Sequence, residues 1–164
     1  MAKSRSDLRA TATADPDADA DAFLSAFDGF AQSVRRARGV RSTSDPDALT
    51  LSQYGLLEPL LELGSARVQE LAGQAGISAP TATRILDTLE RRGLVARRRA
   101  PEDRRGVSVR LTPGGQVALA ARHEWLRDRQ RALYSSLDAS ERELAPQLLT
   151  RLADLIDEMA AGSR

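Results

Sequence analysis

The stretch ISAPTATRILDTLERRGLVARRRAPEDRRGVSVRLTPGG, residues 77–115, decides how this chain folds. Ser78 is placed to cap a helix, and Pro80 suits a first turn whose amides have no intrahelical partner. Ile85, Leu86 and Leu89 supply a buried stripe, and Gly93 ends the helix near Arg92. Just upstream, residues 68–75 read as a short helix with Leu71, Ala72 and Ala75 facing inward. Gly76 stops it and Ile77 plugs the corner. Helix, tight glycine turn and capped helix together have helix-turn-helix spacing. Downstream, residues 94–99 and 107–111 read as two strands joined by a polar loop containing Gly106. In Val107-Ser108-Val109-Arg110-Leu111 apolar and polar residues alternate, so one face of that strand is buried. A β-hairpin directly after a helix-turn-helix makes a wing.

Outward from this centre the pattern stays helical. Residues 1–21, with Asp15, Asp17, Asp19 and Asp21 near their end, read as a disordered acidic tail. The aspartates mimic a calcium loop but fail its spacing: the glycine position holds Ala20 and the closing glutamate position holds Ala26. Residues 22–40 carry Phe23, Phe27, Phe30 and Val34 at helical spacing. That stripe packs either within its own subunit or against a second one. A terminal helix this apolar, with no nearby partner in sequence, favours the second subunit. A further helix over residues 52–63 turns Leu56, Leu57, Leu60 and Leu61 inward. Pro59 inside it removes a backbone bond, so a bend or break is expected there. Thr112 caps and Pro113 begins a long helix to about Ser136, carrying Val117, Ala121, Trp125 and Leu133. Tyr54, Trp125 and Arg127 read either as pocket lining or as core and surface, with packing favoured for Trp125, and His123, among charged neighbours, reads as solvated. Ser140 with Glu143 reads as a capping box for a last helix whose Leu144, Leu148, Leu152, Leu155 and Met159 follow near-heptad spacing. The fold class is therefore mainly α with a small β-hairpin wing: a winged helix-turn-helix over residues 48–112, flanked by an N-terminal helix (22–40) and C-terminal helices (113–161). Phe23, Phe27, Phe30, Leu148, Leu152, Leu155 and Met159 are its dimerisation candidates.

Composition excludes several functions. The 164 residues include no cysteine and one histidine, which removes thiol catalysis, thiolate metal sites and histidine-cluster metal sites. No glycine-rich phosphate loop or paired nucleophile and base is present, so neither an enzyme nor a cofactor or metal site is expected. Without a membrane-length apolar run or a signal-peptide core, the expected location is the cytoplasm. The net charge of +1 conceals an uneven distribution. Between residues 78 and 112, nine arginines (84, 91, 92, 97, 98, 99, 104, 105 and 110) face four acids (Asp87, Glu90, Glu102 and Asp103), leaving +5 in one segment. Such an excess is the electrostatic footprint of a nucleic-acid surface.

The candidate DNA-binding residues follow from placement. With the stripe turned inward, Ser78, Pro80, Thr81, Thr83 and Arg84 fall on the exposed N-terminal part of the second helix, the part that enters the major groove in helix-turn-helix proteins. Arg84 can grip guanine with two hydrogen bonds, touch phosphate, or pair with Asp87 or Thr88 one turn on. In the run Arg97-Arg98-Arg99, strand alternation separates Arg98 from its neighbours, and Arg97 is a phosphate candidate. Arg104 and Arg105 in the hairpin loop can reach a narrow minor groove, with Asp103 bracing the wing through a neighbour such as Arg98.

The capped helix, the run Leu89-Glu90-Arg91-Arg92-Gly93-Leu94-Val95, then Asp103-Arg104-Arg105, then Leu111-Thr112 with a glycine shortly after, together resemble the MarR (multiple antibiotic resistance regulator) family of transcription regulators. The resemblance covers residues 51–120 well; the outer helices match in placement. It implies a triangular homodimer with interlocking first and last helices and two wings on a pseudo-palindromic DNA site. The family's Asp-x-Arg wing motif maps onto Asp103 and Arg105, which makes Arg105 the minor-groove arginine and Arg104 a phosphate contact. It also implies a repressor released by a small aromatic or anionic effector bound between the dimerisation helices and the DNA-binding lobe. The alternative is a winged helix that contacts proteins and has no sequence-specific hold on DNA.

Overall fold

A computed structural model describes residues 16–39, 45, 47–100 and 103–162; for Pro16, Asp17, Gly39 and residues 99, 100 and 103–106 it describes the backbone alone. Among the described residues, seven helices and three strands follow in the order α1 (Pro16–Gly39), α2 (Leu51–Leu57), α3 (Leu60–Leu63), β1 (Ser65–Arg67), α4 (Val68–Gln74), α5 (Ala79–Arg91), β2 (Val95–Ala100), β3 (Asp103–Leu111), α6 (Pro113–Ser136) and α7 (Ala139–Ala161).

The helix-turn-helix is built by local chemistry. Past α4, Gly76 takes a positive φ of 62°, and Ile77 N–H reaches back to the Ala72 carbonyl, closing the helix end. Ser78 Oγ then accepts from Thr81 N to open α5. Gly93, at φ 70°, repeats the device at the other end, with Leu94 N–H on the Leu89 carbonyl. Thr112 joins three elements at once. Its hydroxyl donates to the Gly93 carbonyl (2.6 Å) and accepts from Gly115 N–H (3.0 Å), tying the end of α5 to the start of α6.

The expected break at Pro59 is present: α2 stops at Leu57 and α3 starts at Leu60. Leu56, Leu57, Leu71, Leu86, Leu89, Val109 and Leu119 are fully buried together, so α2, α4, α5, β3 and the first half of α6 share one core.

Several expectations change. The expected hairpin is a three-stranded antiparallel sheet of order β1-β3-β2; β1 is too short to show a period in sequence and exists because β3 offers it an edge. The loop expected around Asp103-Arg104-Arg105-Gly106 belongs to β3. Pairing passes from Arg99↔Val107 to Ala100↔Asp103, so residues 104–106 are accommodated by a register shift, which absorbs extra residues without ending the ladder. α1 begins at Pro16, inside the stretch expected as a tail. Proline suits a first helical turn, and the aspartates beside it favour the positive end of the helix dipole. Residues 1–15 of that tail lie outside the described residues. The last helix opens two residues earlier than Ser140 and Glu143 suggest. Asp138 and Glu141 form the capping box, with Glu141 N–H on Asp138 Oδ1 (2.9 Å) and Asp138 N–H on Glu141 Oε2 (2.8 Å). Among the described residues no helix is long and apolar enough to cross a membrane.

Outside the core the long helices are bare. On α6, Val117 and Leu133 are exposed, because Gly115, Ala118, Leu119 and Leu126 make the contact with the lobe. Helix α7 buries no residue. Phe23, Phe30, Leu148, Leu155 and Met159 are exposed, and Phe27 and Leu152 are half-buried. Phe27, Phe30 and Val34 of α1 line a groove with Ile156 and Met159 of α7, so the two apolar stripes are neighbours.

Candidate nucleic-acid interface

The N-terminal face of α5 presents the residues that the sequence proposes. Ser78, Pro80, Thr83 and Arg84 are exposed and Thr81 is half-buried, while Ala82, Leu86 and Leu89 anchor the opposite face. The Ser78 and Thr81 hydroxyls lie 2.9 Å apart, and Thr83 Oγ1 donates to the Ala79 carbonyl (2.9 Å), which fixes its rotamer. The three readings of Arg84 narrow to two. Thr88 donates its hydroxyl to the Arg84 carbonyl and accepts from Arg91, and Asp87 is bound by Arg97, so neither neighbour holds the Arg84 guanidinium. A cation on the exposed part of a helix, with both candidate internal partners engaged elsewhere, is available to a base edge or a phosphate.

Arg97 is a different case. It projects from β2 on the inner side of the sheet, opposite Val109, towards α5. Its Nη2 lies 2.6 Å from Asp87 Oδ1, a close ion pair that is not aligned as a hydrogen bond. Its Nη1 donates to Glu90 Oε2 (3.0 Å), and its backbone N–H donates to Glu90 Oε1 (3.3 Å). Arg97 thus ties the wing to the recognition helix, which replaces its expected place on phosphate. The reason is strand alternation: Val95 and Arg97 share the buried side. The bracing function expected of Asp103 and Arg98 therefore has an occupant the sequence reading placed elsewhere. Arg98 is exposed on the opposite face. The side chains of Asp103, Arg104 and Arg105 lie outside the described residues.

Two features behind the interface were not anticipated. His123, expected in solvent, is half-buried between α2 and α6. Tyr54 OH donates to Glu58 Oε1 (2.7 Å) and lies 2.9 Å from His123 Nδ1. A hydroxyl has one proton, so Nδ1 is the donor in the second bond. His123 Nε2 is then free to accept from Arg127 Nε at 3.4 Å. Burial, reinforced by the hydrogen bond to Glu58, pushes the Tyr54 hydroxyl up to about 12. Trp125, expected as packing, is 47 % exposed, with the Arg122 guanidinium 4.4 Å and that of Arg129 5.3 Å from its ring centre. Burial lowers the pKa of Arg122, and its Nε is buried with no hydrogen-bond partner among the described residues. No sequence signal marks the Tyr54–His123 contact, which depends on α6 meeting α2 some seventy positions away; Arg122, Trp125 and Arg129 stand three and four residues apart on α6, the spacing at which helix side chains meet.

Comparison with known proteins agrees with this geometry. The sequence profile described as the MarR family matches residues 49–107. The chain is 33% identical over 111 residues to the HTH-type transcriptional regulator FarR of Neisseria gonorrhoeae, a match covering 68% of this chain and 76% of FarR. It is 30% identical over 128 residues to the transcriptional repressor MprA of Escherichia coli, covering 76% of this chain and 66% of MprA. Among solved structures, the MarR family transcription regulator SP03579 superposes with a TM-score of 0.73 at 21% identity, covering 87% of this chain and 95% of that one, a likeness of fold. With a helix-turn-helix and sheet of this form and relatives at this identity, the chain belongs to the MarR family of non-enzymatic, DNA-binding transcription regulators.

Proposed function

We propose that this protein is a homodimeric repressor that grips a pseudo-palindromic operator and releases it when a small aromatic or anionic effector binds. The observation that carries the DNA-reading part is the exposed N-terminal face of α5, where Arg84 is left without Asp87 or Thr88 as a partner. In this reading Ser78, Pro80, Thr81, Thr83 and Arg84 enter the major groove, Arg105 enters the minor groove beside it, and Arg104 meets phosphate.

The dimer is supported by the apolar residues that α1 and α7 leave exposed. A contiguous bare stripe on two adjacent helices is unfavourable in water unless a second copy covers it. Repression is the activity named for the relative MprA. Effector binding is supported by a cleft of about 460 Å³ between the stretch before α2 and the outer face of α6, lined by Leu49, Ala118, Arg122 and Trp125 with Asp45 and Asp47 at its rim. There a buried guanidinium edge without a hydrogen-bond partner among the described residues suits an anion, and the indole suits a flat ring.

Sedimentation of the purified protein, followed by fluorescence-anisotropy titration of duplex DNA over a range of salt, tests the reading. A dimer whose DNA affinity falls steeply with salt is expected. A monomer, or a protein without affinity for duplex at moderate salt, refutes it and leaves the protein-contact alternative.

A further inference from the structure

The register of the sheet gathers three arginines that are far apart in sequence. Ser65 of β1, Arg110 of β3 and Ala96 of β2 stand in one cross-strand row; Arg67, Ser108 and Arg98 stand in the next. Directly opposed residues in a ladder share a face, so these six side chains form one surface of the sheet. It is the outer surface: Arg67, Arg98 and Arg110 are exposed, while Ala66, Val95 and Val109 on the other side are buried. Arg110 sits diagonally between Arg67 and Arg98, and the remaining members of the surface, Ser65, Ala96 and Ser108, are small and uncharged. Neither of these two rows holds an acid.

Three cations at diagonal spacing on a rigid sheet sum to a positive field that favours an anionic partner. The same β2 and β3 strands run on into the wing. From this we propose that the outer face of the sheet is a second phosphate-binding surface, on which Arg67, Arg98 and Arg110 hold the DNA backbone flanking the bases read by α5. Small serines between the arginines let the backbone approach closely. The wing then acts on DNA through its face as well as its tip, and the operator contact extends outward beyond the recognition helix. This rests on the DNA-reading proposal above.

The test compares the wild type with the triple variants R67Q/R98Q/R110Q and R67K/R98K/R110K. Each is titrated by anisotropy against a selected operator trimmed at the wing and against the same operator extended by 10 bp on each side, with thermal melting confirming the fold. The wild type is expected to bind the extended duplex more tightly than the trimmed one. The glutamine variant should lose that gain, keep its affinity for the trimmed duplex, and show a salt slope on the extended duplex lower by about 5, at roughly 0.9 per contact for six contacts in a dimer. The lysine variant should retain most of the slope, because a phosphate contact needs charge more than a guanidinium fork. Equal affinity and slope for wild type and glutamine variant on the extended duplex would overturn the proposal while leaving the recognition helix in place. If selection returns no operator, the DNA-reading proposal has failed. A mixed-sequence 40-bp duplex then decides the sheet face separately, an unchanged slope overturning it and a lowered one supporting it.

Discussion

Gly114 and Gly115 are adjacent in the first turn of α6, yet their replacement by alanine should have opposite effects. A Cβ on Gly115 would lie 1.8 Å from the Leu94 carbonyl oxygen and 2.9 Å from the Leu94 carbonyl carbon, with Leu111 Cδ2 at 3.3 Å. The leucine side chain can turn aside; the backbone at the start of β2 cannot. Relief requires α6 to move away from the sheet by more than an ångström, which disturbs the Thr112 bonds and the burial of Leu119. Overpacking of this kind costs about 1–3 kcal/mol, against at most about 1 kcal/mol gained from replacing glycine in a helix. A backbone clash at this distance belongs at the upper end, so Gly115→Ala should destabilise by about 2 kcal/mol or more. At Gly114 the nearest atoms are Thr112 Oγ1 at 3.8 Å and the Gly93 carbonyl oxygen at 3.9 Å, ordinary contacts. Gly114→Ala should therefore be neutral or stabilise by about 0.4–1 kcal/mol. Urea unfolding at one fixed protomer concentration measures both, read as a shift in midpoint at unchanged slope. A Gly115→Ala protein within about 0.5 kcal/mol of the wild type would refute the close approach of α6 to β2, on the usual range for surface substitutions.

Four further outcomes are expected. Arg97→Met should cost about 1 kcal/mol of stability, since its two ion pairs are partly exposed and each such pair contributes little; the loss should shrink in high salt, and insensitivity to salt would remove the ion pairs as its cause. Arg105→Ala should weaken operator binding by about 1–3 kcal/mol with unchanged melting, and undiminished affinity would take Arg105 out of the minor groove. Deleting residues 1–38 should abolish the dimer in sedimentation and lower operator affinity as a consequence; a stable truncated dimer would refute the part given to Phe23, Phe27 and Phe30. Tyr54 holds its proton more tightly folded, at about 12, than unfolded, near 10. Its contribution, up to about 2–3 kcal/mol at that shift, is thus complete below pH 10 and lost as pH rises from 10 to 12. The stability gap between wild type and Tyr54→Phe should narrow over that window, and a gap constant with pH would contradict the raised value.

What was legible in the sequence is what local chemistry determines. Gly76, Ser78, Gly93, Thr112 and Pro113 act on their immediate neighbours, so the boundaries of α4, α5 and α6 could be read within a residue or two. Pro59 announced its break for the same reason. β1 could not be read, because three residues have no period and depend on the edge of β3, some forty residues on. Arg97 was within reach: alternation put it on the side of Val95, and an inward arginine near Asp87 and Glu90 is more readily a brace than a phosphate ligand. The Tyr54–His123 bond carries no local signature, since α6 meets α2 through the tertiary fold, whereas the arginines three and four residues from Trp125 on α6 were a local signal for the stacking there. The apolar stripes of α1 and α7 were legible as stripes; that α6 turns Val117 and Leu133 to solvent depends on Gly115 fixing the rotation of that helix against β2.

The central claim is that a dimer of this chain reads DNA sequence through α5. Selection of bound genomic fragments by the purified protein, read by sequencing, tests it most directly. The account predicts enrichment of an inverted repeat with half-site centres about one helical turn apart, lost when Arg84 and Thr83 are both replaced by alanine. Recovery of fragments with no shared motif at moderate salt would contradict it.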